Sequence, residues 1–186
     1  MNIGGGAMNE EMRFHLDKDK VNKAIELLNL SNKELKYANS KMTELEQNLN
    51  IGNIQPAIVY TTHPLQIACY TEDFDNIFML EFPKEYVSMY DLHEGDHLLT
   101  STVFYKVKMT KYDDILPGFL ASDVFKDATP MILKFLVSDI DLENCNTKFS
   151  DFLWEYTLNK AHAYMVFSEG KVRDGFFYFF KGGIRG

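Results

Sequence analysis

The chain has 186 residues, of which 46% are hydrophobic, and its formal net charge is −8. This length suits one domain of ordinary size with a helical appendage, which can form a core without disulfides or metal ions. No apolar run approaches the roughly 18 residues that a membrane helix needs, so the sequence predicts a soluble, cytoplasmic protein without a signal peptide. Two isolated cysteines, Cys69 and Cys145, exclude a disulfide framework and a Cys-x-x-Cys metal site.

The negative charge is concentrated in the middle of the chain, where residues 51–138 contain 12 acidic and 6 basic side chains. Proteins that bind phosphate backbones use clustered lysines and arginines. This middle segment contains no arginine, because the three arginines of the chain are Arg13, Arg173 and Arg185. Nucleic acid and anionic membranes are therefore disfavoured as partners, and a basic protein partner fits the charge better.

The first 50 residues divide into a leader and a helical segment. Residues 1–12 have no periodicity and contain three consecutive glycines, so we expect a flexible leader. Within residues 13–50, large apolar side chains recur every seven residues, at Val21, Leu28, Leu35, Met42 and Leu49. Small or apolar residues follow three positions after these and complete a helical face that must be covered. The remaining residues, 51–186, are expected to form an α+β body.

This helical face has alternative partners. It packs on the chain's own body or on the other arm of a helical hairpin, or else it forms a homodimer through residues 21–49. Ser31 and Glu34 favour the hairpin, because their spacing is that of a capping box, which would start a new helix after a break near Asn29. The candidate interaction residues on this face are Leu28, Leu35 and Met42.

After Leu49 the pattern changes from helix to strand. The short run of residues 50–53 contains asparagine and glycine, which are typical of a helix C-terminus. Three runs rich in β-branched and aromatic residues follow, and short turns separate them, one of which contains His63. An antiparallel meander is therefore predicted. Its expected strands are residues 54–61, 65–71 and 77–82.

Residues 79–107 contain an ordered series of local signals. Pro83 is expected to end a strand and begin a short helix, and Leu92 to close that helix on the core. A turn at Gly95 would then lead into a strand of residues 98–109. In this order of elements, the segment resembles the swapped-hairpin domain of the AbrB/MazE/SpoVT-type transition-state regulators and antitoxins.

That resemblance implies a function as well as a local geometry. Members of the family bind DNA as dimers through basic residues, often arginines on the hairpin. The matching segment of this chain has no arginine, and its acidic side chains outnumber Lys84. We therefore carry over the local geometry, and a DNA-binding regulator remains an alternative function.

His93 and His97 have the spacing of two metal ligands on one face of a helix. Between them, however, Gly95 and Asp96 are typical of a turn, which would point the two rings apart. The sequence therefore predicts no metal site, and these two histidines are the candidates if one exists. The acidic run at residues 139–143 imitates the start of a calcium loop but lacks its later glycine and glutamate.

The last third of the chain is predicted to contain one longer helix and several short elements. Thr147 would cap this helix, whose aromatic face is expected to pack on the sheet. Trp154 lies off that face, so it is either a partner anchor or partly buried at the helix edge. The fold class is therefore α+β, with a mainly antiparallel sheet or small barrel and one packed C-terminal helix. The predicted elements are a helix at residues 120–126, a strand at 131–137, the longer helix at 148–161, and strands at 163–168 and 176–181.

No enzyme signature is present in the sequence. It contains no Gly-x-Ser-x-Gly, no His-Glu-x-x-His and no phosphate loop, and its five histidines are scattered. No cofactor is predicted. The favoured hypothesis is an acidic, cytosolic interaction or regulatory protein that binds another protein without catalysis. The alternatives are a hydrolase-like enzyme with an unrecognised site and the DNA-binding regulator.

Overall fold

A computed structural model describes residues 14–106, 113–145 and 147–176. The fold is α+β: a helical segment comes first, a curled mixed sheet of six strands follows, and a longer helix packs near the C-terminus. The fold class predicted from the sequence is confirmed. The predicted leader, the end of the strand predicted to reach Met109, and residues 177–181 of the last predicted strand lie outside the described residues.

The helical segment consists of two helices, α1 (Lys18–Leu28) and α2 (Asn32–Ile51). Helix α1 ends because Asn29 adopts the left-handed conformation, with φ of 45°. Helix α2 begins at a complete capping box, in which the Ser31 hydroxyl accepts from the Glu34 amide and the Glu34 carboxylate accepts from the Ser31 amide. The predicted break between the two helices is confirmed.

The seven-residue face of this segment packs on the chain's own core. Val21 and Leu49 are buried, and Leu28 and Met42 lie half-buried against the same cluster. Leu35, in the middle of the face, is half-buried. The intramolecular packing uses much of the apolar face, while the homodimer through residues 21–49 stays a prediction.

The sheet has six strands, β1 (Asn53–Thr62), β2 (Leu65–Thr71), β3 (Asn76–Phe82), β4 (His97–Tyr105), β5 (Asp127–Ile132) and β6 (Arg173–Asp174). Their order in the sheet is β5-β4-β1-β2-β3-β6. All neighbouring strands are antiparallel except β3 and β6, which are parallel. The predicted meander of the first three strands is confirmed.

Alternate residues of the central strands enter two different apolar clusters. On β2, Ile67 and Cys69 belong to the main core, which also contains residues of α1 and α2. Ala68 and Tyr70 point to the opposite face, where they pack with residues of the C-terminal helix. This helix is α6 (Asp151–Phe167), and the short helices before it are α3 (Glu85–Met89), α4 (Leu133–Leu136) and α5 (Asp139–Glu143).

A buried arginine links the two edge strands of the curled sheet. Arg173 on β6 forms a two-pronged ion pair with Asp114, and its Nη1 donates to Asp127 Oδ1 on β5 at 3.0 Å. The same nitrogen donates to the Ala128 carbonyl at 3.1 Å, and the guanidinium lies 3.9 Å from the centre of the Phe78 ring. Because β5 and β6 are the outer strands, this cluster closes the half-barrel.

Several predicted elements of the last third are wrong. Residues 163–167 continue α6, which Ser150 caps in place of Thr147, because burying Ala161 and Tyr164 on one helical face outweighs the local strand preference. Strand β5 ends at Ile132, and residues 133–136 form α4. Residues 120–126 form a loop instead of a helix. The aromatic face predicted to pack on the sheet includes Phe152, which is instead 73% exposed.

The segment around α3 has the predicted local order. Strand β3 ends at Phe82, α3 follows, and Leu92 is buried. Gly95, two residues before β4, adopts φ of 89°, which only glycine does readily. Pro83 lies two residues before α3 and not at its first position. The likeness to the swapped-hairpin family stays a prediction.

Candidate protein-interaction surface

The structure brings together two residues that the sequence singled out for different reasons. His97, at the start of β4, stacks face to face on Trp154 of α6, with ring centroids 4.0 Å apart and an interplanar angle of 9°. Phe149 contacts the same indole edge-on. One face of Trp154 is therefore covered by its own chain, and the side chain is half-buried. Its role as a partner anchor stays a prediction.

His93 lies apart from that stack, in the exposed turn before β4. Its ring nitrogens are 3.8 Å from Asp96 and 4.0 Å from Asp91, and its amide donates to Asp96 Oδ2 at 2.8 Å. His93 therefore contacts residues of its own turn. Across the described residues, no group of three or more His, Cys, Asp or Glu side chains has an arrangement that could hold a metal ion.

The other histidines occupy separate places. His15 lies near Asp141, His63 lies in the β1–β2 turn beside Thr62, and the Nδ1 atom of His162 is 3.2 Å from the Tyr60 hydroxyl. A pocket lined by Phe82, Phe135 and Phe176 has a volume of about 10 Å³, which is room for one water molecule. This pocket is too small for an organic substrate.

A different part of the surface has the features of a binding site: the loop of residues 117–124, here called the anchor loop. It follows the buried Ile115 and leads to Phe125, whose ring packs 5.1 Å from that of Phe104. Backbone hydrogen bonds tie its interior to the turn between β2 and β3. The Gly118 amide donates to the Phe74 carbonyl at 2.9 Å, and the Ser122 amide donates to the Asp73 carbonyl at 2.7 Å.

Asp75 joins the anchor loop to helix α6. Its carboxylate is 1% exposed and accepts from the hydroxyls of Tyr156, at 2.7 Å, and Tyr70, at 3.2 Å. Its second oxygen accepts from Lys160 Nζ at 2.8 Å and from the Leu120 amide at 3.2 Å. Lys160 also donates to the Asp75 carbonyl at 2.9 Å. We call these five residues the Asp75 network, and it fixes the anchor loop against the body.

The network keeps its central carboxylate charged. Burial alone would raise the pKa of Asp75, but hydrogen bonds from Lys160, Tyr156 and the Leu120 amide outweigh this effect and hold the pKa below its ordinary value. Burial, followed by the nearby Asp75 charge, raises the pKa of Tyr70. Both tyrosines therefore remain hydrogen-bond donors at neutral pH. An ionised acceptor strengthens such bonds, so the loop is held firmly.

Gly118 is required for this close packing. A Cβ atom placed on Gly118 would lie 2.2 Å from both the carbonyl and the Oδ2 oxygens of Asp75, and 2.4 Å from Lys160 Nζ. Contacts this short are sterically forbidden, and the backbone carbonyl cannot move aside without shifting the turn. The glycine in the Leu116-Pro117-Gly118 sequence therefore permits the loop to contact the β2–β3 turn.

The tip of the anchor loop exposes three large apolar side chains. Phe119 is 99% exposed, Leu120 is 67% exposed and Val124 is 53% exposed. Exposed phenylalanine is common in mobile segments, but here the flanking Gly118 and Leu120 amides are both hydrogen-bonded to the body. The loop therefore presents an apolar surface in a fixed position.

Acidic groups lie beside this apolar tip. Asp123 lies within the loop, and the loop contacts the turn that contains Glu72 and Asp73. Two lysines also lie nearby: Lys160 is paired with the buried Asp75, and Lys126 Nζ donates to the Asp123 carbonyl at 3.5 Å. The surface is therefore apolar at its centre, and at its edge the carboxylates of Glu72, Asp73 and Asp123 outnumber Lys126. A complementary partner would present an apolar pocket with basic residues at its edge.

Sequence reasoning missed this surface. It assigned residues 120–126 to a helix and treated the Asp75 turn as a simple connection. One signal was available: Phe119 and Leu120 come directly after a Pro-Gly pair, where polar residues are usual. The burial of Asp75 had no local signal, because its partners Tyr156 and Lys160 lie more than 80 residues further along the chain.

Comparison with known proteins finds no matching family model, no similar curated protein and no similar solved structure. Within the described ranges, the helices are all too short or too polar to cross a lipid bilayer. The surface must therefore be interpreted from its own chemistry.

Proposed function

We propose that this chain is an acidic protein-interaction module that binds another protein through the anchor loop. The observation that carries the proposal is the complete exposure of Phe119 on a loop whose backbone is hydrogen-bonded to the body. The partner's site is an apolar pocket with a rim of lysine or arginine. This interpretation agrees with the chain's net charge of −8.

Fixed aromatic side chains suit protein binding for two reasons. Aromatic residues are among those that contribute most to binding when they enter a desolvated pocket. A loop that is already ordered loses little conformational entropy when its partner binds. The Asp75 network provides this order, since it holds the Leu120 amide next to Phe119. The acidic rim would steer a basic partner and increase the association rate at low salt.

A reducing, cytoplasmic location is part of the proposal. Cys69 and Cys145 are both free thiols, and Cys69 is buried in the core. Disulfides are rare in the cytosol, where thiols stay reduced. The two unpaired cysteines support this location.

The test begins with a photo-crosslinking amino acid at position 119 in living cells. The matched control carries it at Ser88, which is exposed on α3 far from the loop in sequence. A protein crosslinked at position 119 and not at position 88 is then purified. Its affinity is measured by titration against the unmodified chain and against the Phe119→Ala and Ile140→Ala variants. Ile140 is a suitable control, because it is also apolar and 69% exposed.

We expect Phe119→Ala to weaken this binding at least tenfold and Ile140→Ala to leave it unchanged. Higher salt should also weaken it, because salt screens the attraction between the acidic rim and a basic partner. The proposal fails if Phe119→Ala does not change the affinity of any purified partner, or if binding is stronger at high salt.

A further inference from the structure

Helix α6 has an apolar strip on the side that faces the anchor loop. Successive residues of a helix are about 100° apart around its axis, because a turn contains 3.6 residues. Phe152, Tyr156, Ala163 and Phe167 therefore lie within about 60° of one another on one side of α6. Phe152 is 73% exposed, Phe167 is 75% exposed and Ala163 is also exposed. We call these four residues the α6 strip.

Polar residues border the α6 strip on both sides. Glu155 and Asn159 lie on its outer border and are exposed. Lys160 lies on the border next to the sheet, where its Nζ atom donates to the carboxylate of Asp75 at 2.8 Å and to the Asp75 carbonyl at 2.9 Å. The strip is therefore a narrow apolar surface along the helix and not a wholly apolar helix face.

Direct contacts connect the α6 strip to the anchor loop. Phe152 stacks on Tyr156 with ring centroids 5.9 Å apart, and the Tyr156 hydroxyl donates to Asp75 Oδ1 at 2.7 Å. The other oxygen of this carboxylate accepts from the amide of Leu120, the residue after Phe119. The Asp75 network therefore holds the loop and the strip in fixed positions, so that one partner can contact both.

We infer that the partner of the anchor loop places a basic, amphipathic helix along the α6 strip, and that this helix forms one wall of the pocket that receives Phe119. The inference rests on the proposed function, since it names the part of the same partner that contacts α6. Phe152 and Phe167 are 15 residues apart, which corresponds to about 22 Å along a helix. A partner helix of about four turns spans this length.

A helix fits the α6 strip better than an extended segment does. The strip consists of side chains, and the backbone groups behind them are bonded within α6. A strand laid on it would find no sheet edge to pair with its own amides and carbonyls. A helix satisfies these groups internally and binds through an apolar face.

The exposed area agrees with a combined interface. A buried aromatic side chain covers roughly 200 Å², so the exposed parts of Phe119, Phe152 and Phe167 amount to roughly 500 Å². A specific interface buries about 800 Å² on each partner, of which somewhat more than half is apolar. The three phenylalanines supply that apolar area, and Phe119 alone supplies less than half of it.

The charges near the loop and the strip favour a basic helix. Among the described residues there, Lys160 and Lys171 are each paired with an aspartate. Carboxylates outnumber the other two lysines, so lysines or arginines on the flanks of the partner helix would complement this surface. The carboxylates are those of Asp73, Asp123, Asp151, Glu155 and Glu169, and the two lysines are Lys126 and Lys148.

The first experiment places the photo-crosslinking amino acid at Phe152 and, separately, at Phe167 in living cells. We expect both positions to capture the protein that position 119 captures, and the control position, Ser88, to capture none. Capture at position 119 alone would overturn this inference and leave the proposed function standing. If position 119 captures no protein, both proposals fail. Crosslinks from positions 152 and 167 to a second copy of this chain, or to its own residues 177–186, would also overturn the inference.

The positions of the two crosslinks on the partner then distinguish a helix from an extended segment. Mass spectrometry of the crosslinked peptides locates them. Over about 22 Å, a helix places the two crosslinked partner residues about 15 apart, whereas a strand places them about seven apart. A separation near seven, or crosslinks to two unconnected segments, overturns the helical occupant.

Affinity for the purified partner tests each end of the strip. Phe152→Ala and Phe167→Ala should each weaken binding at least tenfold. The matched control on the same helix is Val166→Ala, which should leave binding unchanged, because Val166 is 73% exposed but lies about 100° around the helix from Phe167. Melting curves show that each variant is folded. If only Phe119→Ala weakens binding, the interface is confined to the anchor loop and the inference is wrong.

Two further measurements test the chemistry of the occupant. Glu155→Gln should slow association with the partner, and Glu143→Gln, which is exposed on α5, should not, because charges at the edge of an interface act mainly on the association rate. Unchanged association of Glu155→Gln would show that the partner helix is not basic. Sedimentation with phosphatidylcholine vesicles should leave the chain in solution. Vesicle binding that Phe167→Asp abolishes would assign the strip to a lipid surface and overturn the inference.

Discussion

The Arg173 cluster and the Asp75 network are both buried ion pairs, but they hold different parts of the molecule. Arg173 and its two aspartates are each less than 10% exposed at their side chains, and they join strands at opposite edges of the sheet. Asp75 is equally buried, but its cation Lys160 is 24% exposed. This second pair joins α6 and the anchor loop to the turn between β2 and β3. The first pair therefore closes the fold, and the second positions the proposed binding surface.

This difference gives the two pairs different energetic roles. Removing one member of a fully buried ion pair leaves the other charge without compensation inside the protein. A partly exposed cation can be replaced by water, so the loss is smaller and remains local. Substitutions in the two regions should therefore be distinguishable, one by global unfolding and the other by local opening.

The largest effect is expected for Arg173→Met. This change keeps much of the side-chain volume but leaves Asp114 and Asp127 buried without their guanidinium, at a cost of about 3–5 kcal/mol in the free energy of unfolding. Denaturant titration measures this loss. The matched control is Lys171→Met, which removes the exposed pair with Asp113 and should cost far less stability, because water screens an exposed pair. Similar losses for the two variants would contradict the role of Arg173 in closing the sheet.

Asp75→Asn should have a smaller, more local effect. It removes the charge that accepts from Lys160, Tyr156 and the Leu120 amide, and such charge-assisted bonds contribute about 1.5–3 kcal/mol. We expect a loss of this size in the free energy of unfolding. Hydrogen exchange at the Leu120 amide should also become at least tenfold faster. Asp91→Asn, at an exposed carboxylate, is the control. An unchanged exchange rate at Leu120 would show that the network does not hold the loop.

The same carboxylate predicts a pH dependence. Because the pKa of Asp75 is lower in the folded state, its stabilising contribution is complete above its unfolded pKa of about 3.9. This contribution is lost as the pH falls below that value and through the lowered folded pKa. The difference in stability between the unmodified chain and Asp75→Asn should therefore shrink over this acidic range. If this difference in stability stays constant down to the acid unfolding transition, the pKa of Asp75 is not lowered by folding.

The two regions also show what the sequence could and could not predict. Local signals identified the break between α1 and α2, since Ser31 and Glu34 are three residues apart and act on the backbone between them. The meander was predictable because its strands are consecutive and joined by short turns. The partners of Arg173 lie 46 and 59 residues away. A local sequence pattern cannot indicate a contact between residues that are so far apart in the chain.

Helix α6 shows a different reason for failure. Its second half contains Tyr164 and Val166, which favour strands, so the sequence predicted a strand there. The tertiary structure overrides that preference by packing Ala161 and Tyr164 against the sheet. The exposure of Phe119 was also hidden, because an aromatic residue in a sequence is normally expected to be buried. Only the hydrogen bonds around Asp75 show that the anchor loop holds Phe119 in solvent.

The smallest effect on stability is expected for Phe119→Ala, and this separates the binding surface from both ion pairs. Phe119 is 99% exposed, so truncating it removes almost no packing, and the free energy of unfolding should change by less than about 0.5 kcal/mol. The Leu120 amide should retain its slow exchange, because its bond to Asp75 uses the backbone. Denaturant titration and hydrogen exchange measure both quantities. A clear loss of stability would mean that Phe119 packs on the body in solution, and the loop would then not present it to a partner.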